Sequence, residues 1–284
     1  MDFPIRIPLG KWVEVFVNWL TENFSTVFDS IKVIVEFVLV QLDSFFIWVP
    51  WPVALIGISI IAWIVADRRV AILTAVCLFG LGSLDLWIIG MSTLALVMTA
   101  VFISILLGLP MGILAAKNPR FDMVLKPILD GMQTIPSFVY LIPAIMFFGI
   151  GNVPGIIATV VFALPPMVRL TSLGIQQVDH EVTEAGIAFG STPMQLLLKI
   201  QLPLAIPSIM TGVNQTVMMA LSMVVVAAMI GAGGLGSKIL YSIQRIDLGV
   251  GIEAGVGILF IAIVLDRILQ GVTKKQQDAI MQQK

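Results

Sequence analysis

The 284-residue chain is 58% hydrophobic and only 12% charged, with mean hydropathy +1.04, against roughly 45–50% apolar and 25% charged in soluble domains, which excludes a water-soluble globule. Its 16 Lys+Arg and 17 Asp+Glu leave a net charge of −1, too little positive field to hold nucleic acid by counterion release. With one cysteine, Cys77, and one histidine, His180, an internal disulfide, a multi-ligand metal site and a Ser/His/Asp triad all lack partners, which leaves a membrane protein without enzymatic chemistry of its own.

The apolar residues come in long continuous runs, which predicts an all-α polytopic membrane protein rather than a barrel. In residues 1–47 acids and bases (Lys11, Glu14, Glu22, Asp29, Lys32, Glu36, Asp43) interrupt apolar residues every three or four positions. That pattern fits an amphipathic, membrane-peripheral helix better than a span; a crossing by 31–49 would instead put the N-terminus in the cytoplasm. Seven spans are expected near 48–66, 70–86, 91–116, 132–150, 153–170, 204–230 and 249–269, by a ruler of about 20 residues per crossing. The first two form an accessory hairpin (48–90), residues 91–270 the core, and 271–284 a cytoplasmic tail. With the polar segment 171–203 in the cytoplasm, eleven of the sixteen cations, Arg68, Arg69, Lys117, Arg120, Lys126, Arg169, Lys199, Arg267, Lys274, Lys275 and Lys284, fall inside, as the positive-inside rule requires.

Within that segment, residues 179–203 read as two short helices with a break. Asp179 caps the first, with Glu181 and Glu184 in its early turns where the dipole favours anions. Val182, Ala185, Gly186 and Phe189 share one face. Gly190 stops the helix, Ser191 or Thr192 with Pro193 starts the second, and Pro203 turns the chain into the next span. An amphipathic loop resting on lipid headgroups would carry the same pattern, so periodicity alone leaves the role open.

The spacing Glu184-Ala185-Gly186, Gly190, Ile200-Gln201-Leu202-Pro203 resembles the EAA motif, E-A-A-x3-G-x9-I-x-L-P, of permease subunits of ATP-binding-cassette (ABC) importers, with Gly186 in place of the second alanine. Gln133–Tyr140, Phe148–Pro154, Ala163–Pro166, Gly212–Thr216, Gly233–Gly236 and Leu265–Arg267 are similar to permeases for glycine betaine and proline betaine. The resemblance implies a type I importer fold acting by alternating access as a pair of copies. Glu184, Ala185, Gly186, Phe189, Gly190, Ile200, Leu202 and Pro203 would then contact a cytoplasmic ABC ATPase, which would use ATP and Mg, no cofactor being held by this chain. An extracytoplasmic binding protein would deliver the solute, and the seat would be the bacterial plasma membrane with the C-terminus cytoplasmic. Rival readings are an ABC permease for another small solute such as an amino acid, and a secondary carrier independent of an ATPase.

Gly231-x-Gly233-x-x-Gly236 matches a dinucleotide fingerprint in letters only. It follows a membrane helix where that motif needs a strand, so a turn joining the ends of two spans is the expected role. Glu253 is an ionisable group in the last span, read either as functional or as part of a small-residue packing face with Gly249, Gly251, Gly255 and Gly257; Arg245 and Lys238 are its candidate partners. A solute path is expected around Pro136, Phe138 and Tyr140 and around Asn214 and Thr216, with Met218, Met219 and Met223 as soft surfaces; the methionines could equally be packing or lipid-facing.

Overall fold

The computed structural model describes the backbone of residues 8–281 and the side chains of residues 8–276. Lys284 and the first seven residues lie outside it. The described residues are helical: α1 (Leu9–Asn23), α2 (Ser25–Trp48), α3 (Trp51–Val65), α4 (Arg68–Ser83), α5 (Trp87–Lys117), α6 (Pro119–Thr134), α7 (Ser137–Phe148), α8 (Asn152–Gln176), α9 (His180–Ala188) and α10 (Pro193–Leu196) are followed by a π-helical turn (Leu197–Gln201). After it come α11 (Leu202–Ser222), α12 (Val224–Ala228), α13 (Leu235–Arg245) and α14 (Leu248–Met281).

The centre is α8, whose close neighbours are held by missing side chains. A Cβ on Gly108 of α5 would lie 2.7 Å from Met167, and one on Gly112 2.6 Å from Thr171, so α5 and α8 run parallel with their backbones nearly touching, as small residues allow in membranes. On its other face, Gly174 abuts Ser208 and Gly212 abuts Leu170, which fixes α11 antiparallel to α8. Helix α14 packs against α11. It carries the α3–α4 hairpin along its side, where Gly80 faces Phe260 and Gly271 faces Ala66. Local signals start the helices: Asp67 caps α4 by accepting from the Val70 amide, and Asn118 caps α6 ahead of Pro119.

Four helical stretches, Trp87–Lys117, Asn152–Gln176, Pro193–Ser222 and Leu248–Gln276, are alone long and apolar enough to cross a bilayer, and six would cross if each of two bent pairs counts as one span. Each of the seven expected segments holds a helix, but 132–150 is not straight. Helices α6 and α7 meet at 98°, because Ile135 precedes Pro136 and is driven to extended backbone (φ −67°, ψ 128°). The 15 and 16 residues of α3 and α4 fall below the usual crossing length.

Helix α2 is 24 residues long, about 36 Å at 1.5 Å per residue. Its buried Val35 and Leu39 join Ala95 and Ala100 of α5, Phe148 of α7, and Val153, Ile156 and Val160 of α8, and Phe28 stacks on Phe147 with centroids 4.4 Å apart. Those partners belong to the first halves of α5 and α8, so α2 crosses the bundle near the end remote from α9 instead of running along it.

At that remote end the glycine-rich segment ties three helices together. The Gly151 amide donates to the Ile230 carbonyl, Gly233 to Asn152 Oδ1, and Leu235 to the Thr93 hydroxyl at 2.7 Å. A Cβ on Gly236 would meet the Val224 carbonyl oxygen at 2.3 Å, an atom of backbone that cannot rotate aside. Gly236→Ala is therefore expected to destabilise the protein by about 1–3 kcal/mol, seen as a lowered thermal midpoint in detergent; an unchanged midpoint would refute the tight turn. Gly231, Gly234 and Gly236 each stand against a neighbouring element too closely for a side chain.

Candidate functional site: the α9–α10 loop and its polar neighbours

The α9–α10 loop is a preformed shape. Asp179 accepts from the Glu181 amide at 2.9 Å and begins α9. The helix ends in a Schellman arrangement, with Ser191 N–H donating to Gly186 O (3.1 Å) and Gly190 N–H to Ile187 O (2.9 Å) while Gly190 sits at φ +80°. Thr192 and Gln195 then exchange hydrogen bonds in a capping box around Pro193, so the hydroxyl that starts α10 is that of Thr192.

Ile200, which emerges from the π-helical turn, folds back over α9. A Cβ on Gly186 would stand 2.6 Å from Ile200 Cδ1 and 2.9 Å from Leu196 Cδ1. Glycine in place of the expected alanine is thus matched by a side chain filling the space. Leu197 is buried with Ile175 and Ala205, and Leu202 packs against them, which seats the loop on the ends of α8 and α11; Pro203 lies exposed in the first turn of α11.

Alongside the charged and polar side chains that the loop exposes, it also presents an apolar cluster. Phe189 is 91% exposed, and Val182, Ile187, Met194 and Leu198 are exposed around it. Ala185 is exposed beside Glu184, whose carboxylate lies 3.2 Å from His180 Nδ1. The four-residue face expected of α9 is therefore divided: Gly186 turns inward onto Ile200 while Val182, Ala185 and Phe189 remain free. A cluster of this kind on a capped scaffold is the composition of a protein interface.

The expected path residues do not form one wall in this conformation. Pro136 and Phe138 are exposed. Tyr140 is half-buried, packs with the cluster of Leu141 and Ala158, and has a hydroxyl without a partner. Asn214 donates to Asp266 Oδ1 of α14 at 3.0 Å, Thr216 is fully buried and donates to the Gly212 carbonyl, and Met223 is buried against Leu141 and Ile230. Met218 packs with the α5–α11–α14 core. Met219 accepts a contact from Gln133 Nε2 at 3.4 Å.

That last contact leads to a cluster outside the expected set. Arg169 of α8 pairs with Asp130 of α6 and donates to Gln133 Oε1 at 3.4 Å. It pins the α6 side of the Pro136 elbow to α8. An acid and a base on separate helices, 39 residues apart, leave no local pattern; the only cue is that Arg169 stands near a span end with no acid beside it in the chain. Glu253 is exposed and has neither Arg245 nor Lys238 as an ion-pair partner among the described residues; Arg245 lies over the Tyr241 ring at 4.4 Å.

Comparison with known proteins matches residues 108–277 to the family described as binding-protein-dependent transport system inner membrane component. The chain is 48% identical over 266 residues to the glycine betaine/proline betaine transport system permease protein ProW of Escherichia coli (strain K12), covering 94% of this chain and 75% of that relative. It is 44% identical over 277 residues to the glycine betaine transport system permease protein OpuAB of Bacillus subtilis (strain 168), covering 98% of both. A solved inward-facing form of the MetNI methionine ABC transporter is similar with TM-score 0.57 and 27% identity, over 63% of this chain and 92% of that one. The matched span of more than half the chain and the identity along nearly all of it establish that this protein belongs to the inner-membrane permease components of binding-protein-dependent ABC importers.

Proposed function

We propose that the chain is the membrane-spanning subunit of an importer for glycine betaine or a related compatible solute, serving osmoprotection by ATP-driven alternating access. The observation that carries the coupling role is the exposed Phe189 cluster on a loop whose caps and whose Gly186–Ile200 contact hold it ready for a partner. In this reading a separate ATPase binds ATP and Mg, docks on Glu184 to Pro203, and its closure biases the permease pair toward the state open to a loaded binding protein. Two copies in the bacterial plasma membrane, with the loop and C-terminus cytoplasmic, complete the unit.

Residues 1–47 act as a peripheral segment. The exposed Trp12, Phe16 and Trp19 of α1 suit a headgroup boundary, and the transverse course of α2 agrees. Residues 48–90 form an accessory hairpin, 91–270 the transport core, and 271–284 a tail. A net-neutral zwitterion needs no buried counter-charge, in keeping with the apolar composition of α7; of the expected path residues, Met219 touches Gln133, which in turn bonds Arg169.

The cargo is tested by the ATPase activity of the reconstituted complex, stimulated by its binding protein loaded with glycine betaine, proline, choline or histidine. Stimulation by betaine above the others is expected. Stronger stimulation by histidine or proline would move the reading to an amino-acid importer, the class to which the methionine transporter MetNI belongs.

A further inference from the structure

At the end of the bundle remote from the coupling loop, a cavity of about 740 Å³ opens between the α3–α4 hairpin, the start of α5 and α13, lined by Trp51, Phe79, Asp85, Trp87, Ile88 and Lys238 among others. Three observations give it chemical character. First, Asp85 and Lys238 line the same cavity, yet among the described residues neither makes an ion pair or side-chain hydrogen bond with the other or with anything else. Opposite charges that share a cavity without pairing suit a ligand carrying both signs. Second, Trp87 and Ile88 open α5 and line the cavity, and the helix has no side-chain cap; its first N–H groups lack intrahelical acceptors and favour an anion, as does Lys238 in the same lining. Third, the place of Asp85 is set by the fold: at φ +55° it ends α4 in a Schellman turn, Leu86 N–H donating to the Leu81 carbonyl and Asp85 N–H to the Gly82 carbonyl.

The walls decide what kind of ligand this is. Phe79 and Ile88 are 61% and 64% exposed, and Trp51 54%, so the cavity is open sideways to the bilayer rather than closed over an aqueous solute. Two tryptophans, Trp51 and Trp87, in one lining are the residue type that a membrane interface favours. We infer that this cavity holds a zwitterionic glycerophospholipid in the leaflet at this end of the bundle, its phosphate on Lys238 and the α5 N-terminus, its ammonium between Asp85 and the tryptophan faces, and an acyl chain along Phe79 and Ile88. An ammonium over tryptophan is favoured by the ring quadrupole, and a charge-assisted phosphate contact outweighs a neutral one. That leaflet is the outer one in the orientation proposed above. The lipid site does not depend on the cargo or on the ATPase contact.

The test uses the full permease–ATPase complex in vesicles of phosphatidylethanolamine and phosphatidylglycerol containing a trace of phosphatidylethanolamine with a photoactivatable acyl chain. Irradiation is expected to label the peptide spanning residues 78–89. Lys238→Met, which keeps the apolar stem, should reduce the label about tenfold, the loss of one charge-assisted hydrogen bond, and Lys238→Arg should restore it. Asp85→Asn should lower labelling by the ethanolamine lipid relative to a photoactivatable phosphatidylglycerol, since only the former presents a cation. Equal labelling of wild type and Lys238→Met overturns the site. Displacement of the label by soluble glycerophosphoethanolamine at millimolar concentration would show a solute pocket and overturn the lipid assignment. Glycine-betaine-stimulated ATPase activity, read on the same preparations, reports separately on the transport reading.

Discussion

Gly190→Val should cut solute uptake by about 5- to 30-fold while the permease remains inserted at normal levels. A Cβ at position 190 meets nothing within 4 Å, so the substitution creates no clash; its effect comes through φ +80°, which a β-branched residue adopts at a cost of roughly 1–2 kcal/mol. That cost applies where Gly190 and Ser191 donate back to Ile187 and Gly186, so the chain would leave α9 in another direction and α10 would be misplaced. A factor of about 5–30 in the population of the correct loop follows. Gly190→Asn, better suited to positive φ, should retain more uptake than Gly190→Val, and Gly190→Asp should fall nearer the valine variant because it adds an anion to the apolar docking face. Radiolabelled uptake normalised to immunoblotted permease is the measurement. Wild-type uptake in the valine variant would mean that the break between the two helices has no part in coupling.

The second large effect is at Phe189. Its ring is 91% exposed, so it contributes almost nothing to the permease's own fold, and truncation should leave the thermal midpoint in detergent unmoved. In the complex, an aromatic knob seated in a partner groove costs about 2 kcal/mol or more when removed, roughly thirtyfold in affinity. Phe189→Asp would add the desolvation of a charge and should eliminate co-purification of the ATPase. Solute-stimulated hydrolysis should disappear with it. An ATPase that still co-purifies with Phe189→Asp at wild-type stoichiometry would place the contact elsewhere on the loop.

Much of this site was legible in the chain because its determinants are local. Asp179, Gly190, Thr192 and Pro193 act on neighbours within five residues, and each does what its chemistry dictates at a helix end. The helical fold follows from apolar runs, and the glycine turn from residues too small to serve otherwise. Where the reading went astray, the cause is tertiary. Asn214 looked like a polar group available to a solute, but Asp266 lies 52 positions away and takes its amide hydrogen. Thr216 satisfies its hydroxyl on its own helix and can therefore be buried, and the span bounds 132–150 do not by themselves show the 98° bend, which comes from residue 135 being kept extended by the proline after it. The Arg169–Asp130 pair joins helices whose adjacency no periodicity reveals.

The near-contact of α5 and α8 has a mechanical consequence. Between Gly108 and Met167, and between Gly112 and Thr171, one side of the joint has no side-chain layer, so the two helices cannot slide past one another by rotamer changes; each is interrupted by proline beside that joint, α5 at Pro110 and α8 at Pro165 and Pro166, which removes ladder hydrogen bonds and lets the paired helices bend there. A displacement applied where Leu197 seats the loop on Ile175 enters α8 on the loop side of its proline pair, so the half of α8 that leads to the glycine turn can pivot against the half that carries the loop. The Pro136 elbow is bonded to that loop-side half through the Asp130–Arg169 pair and would travel with it.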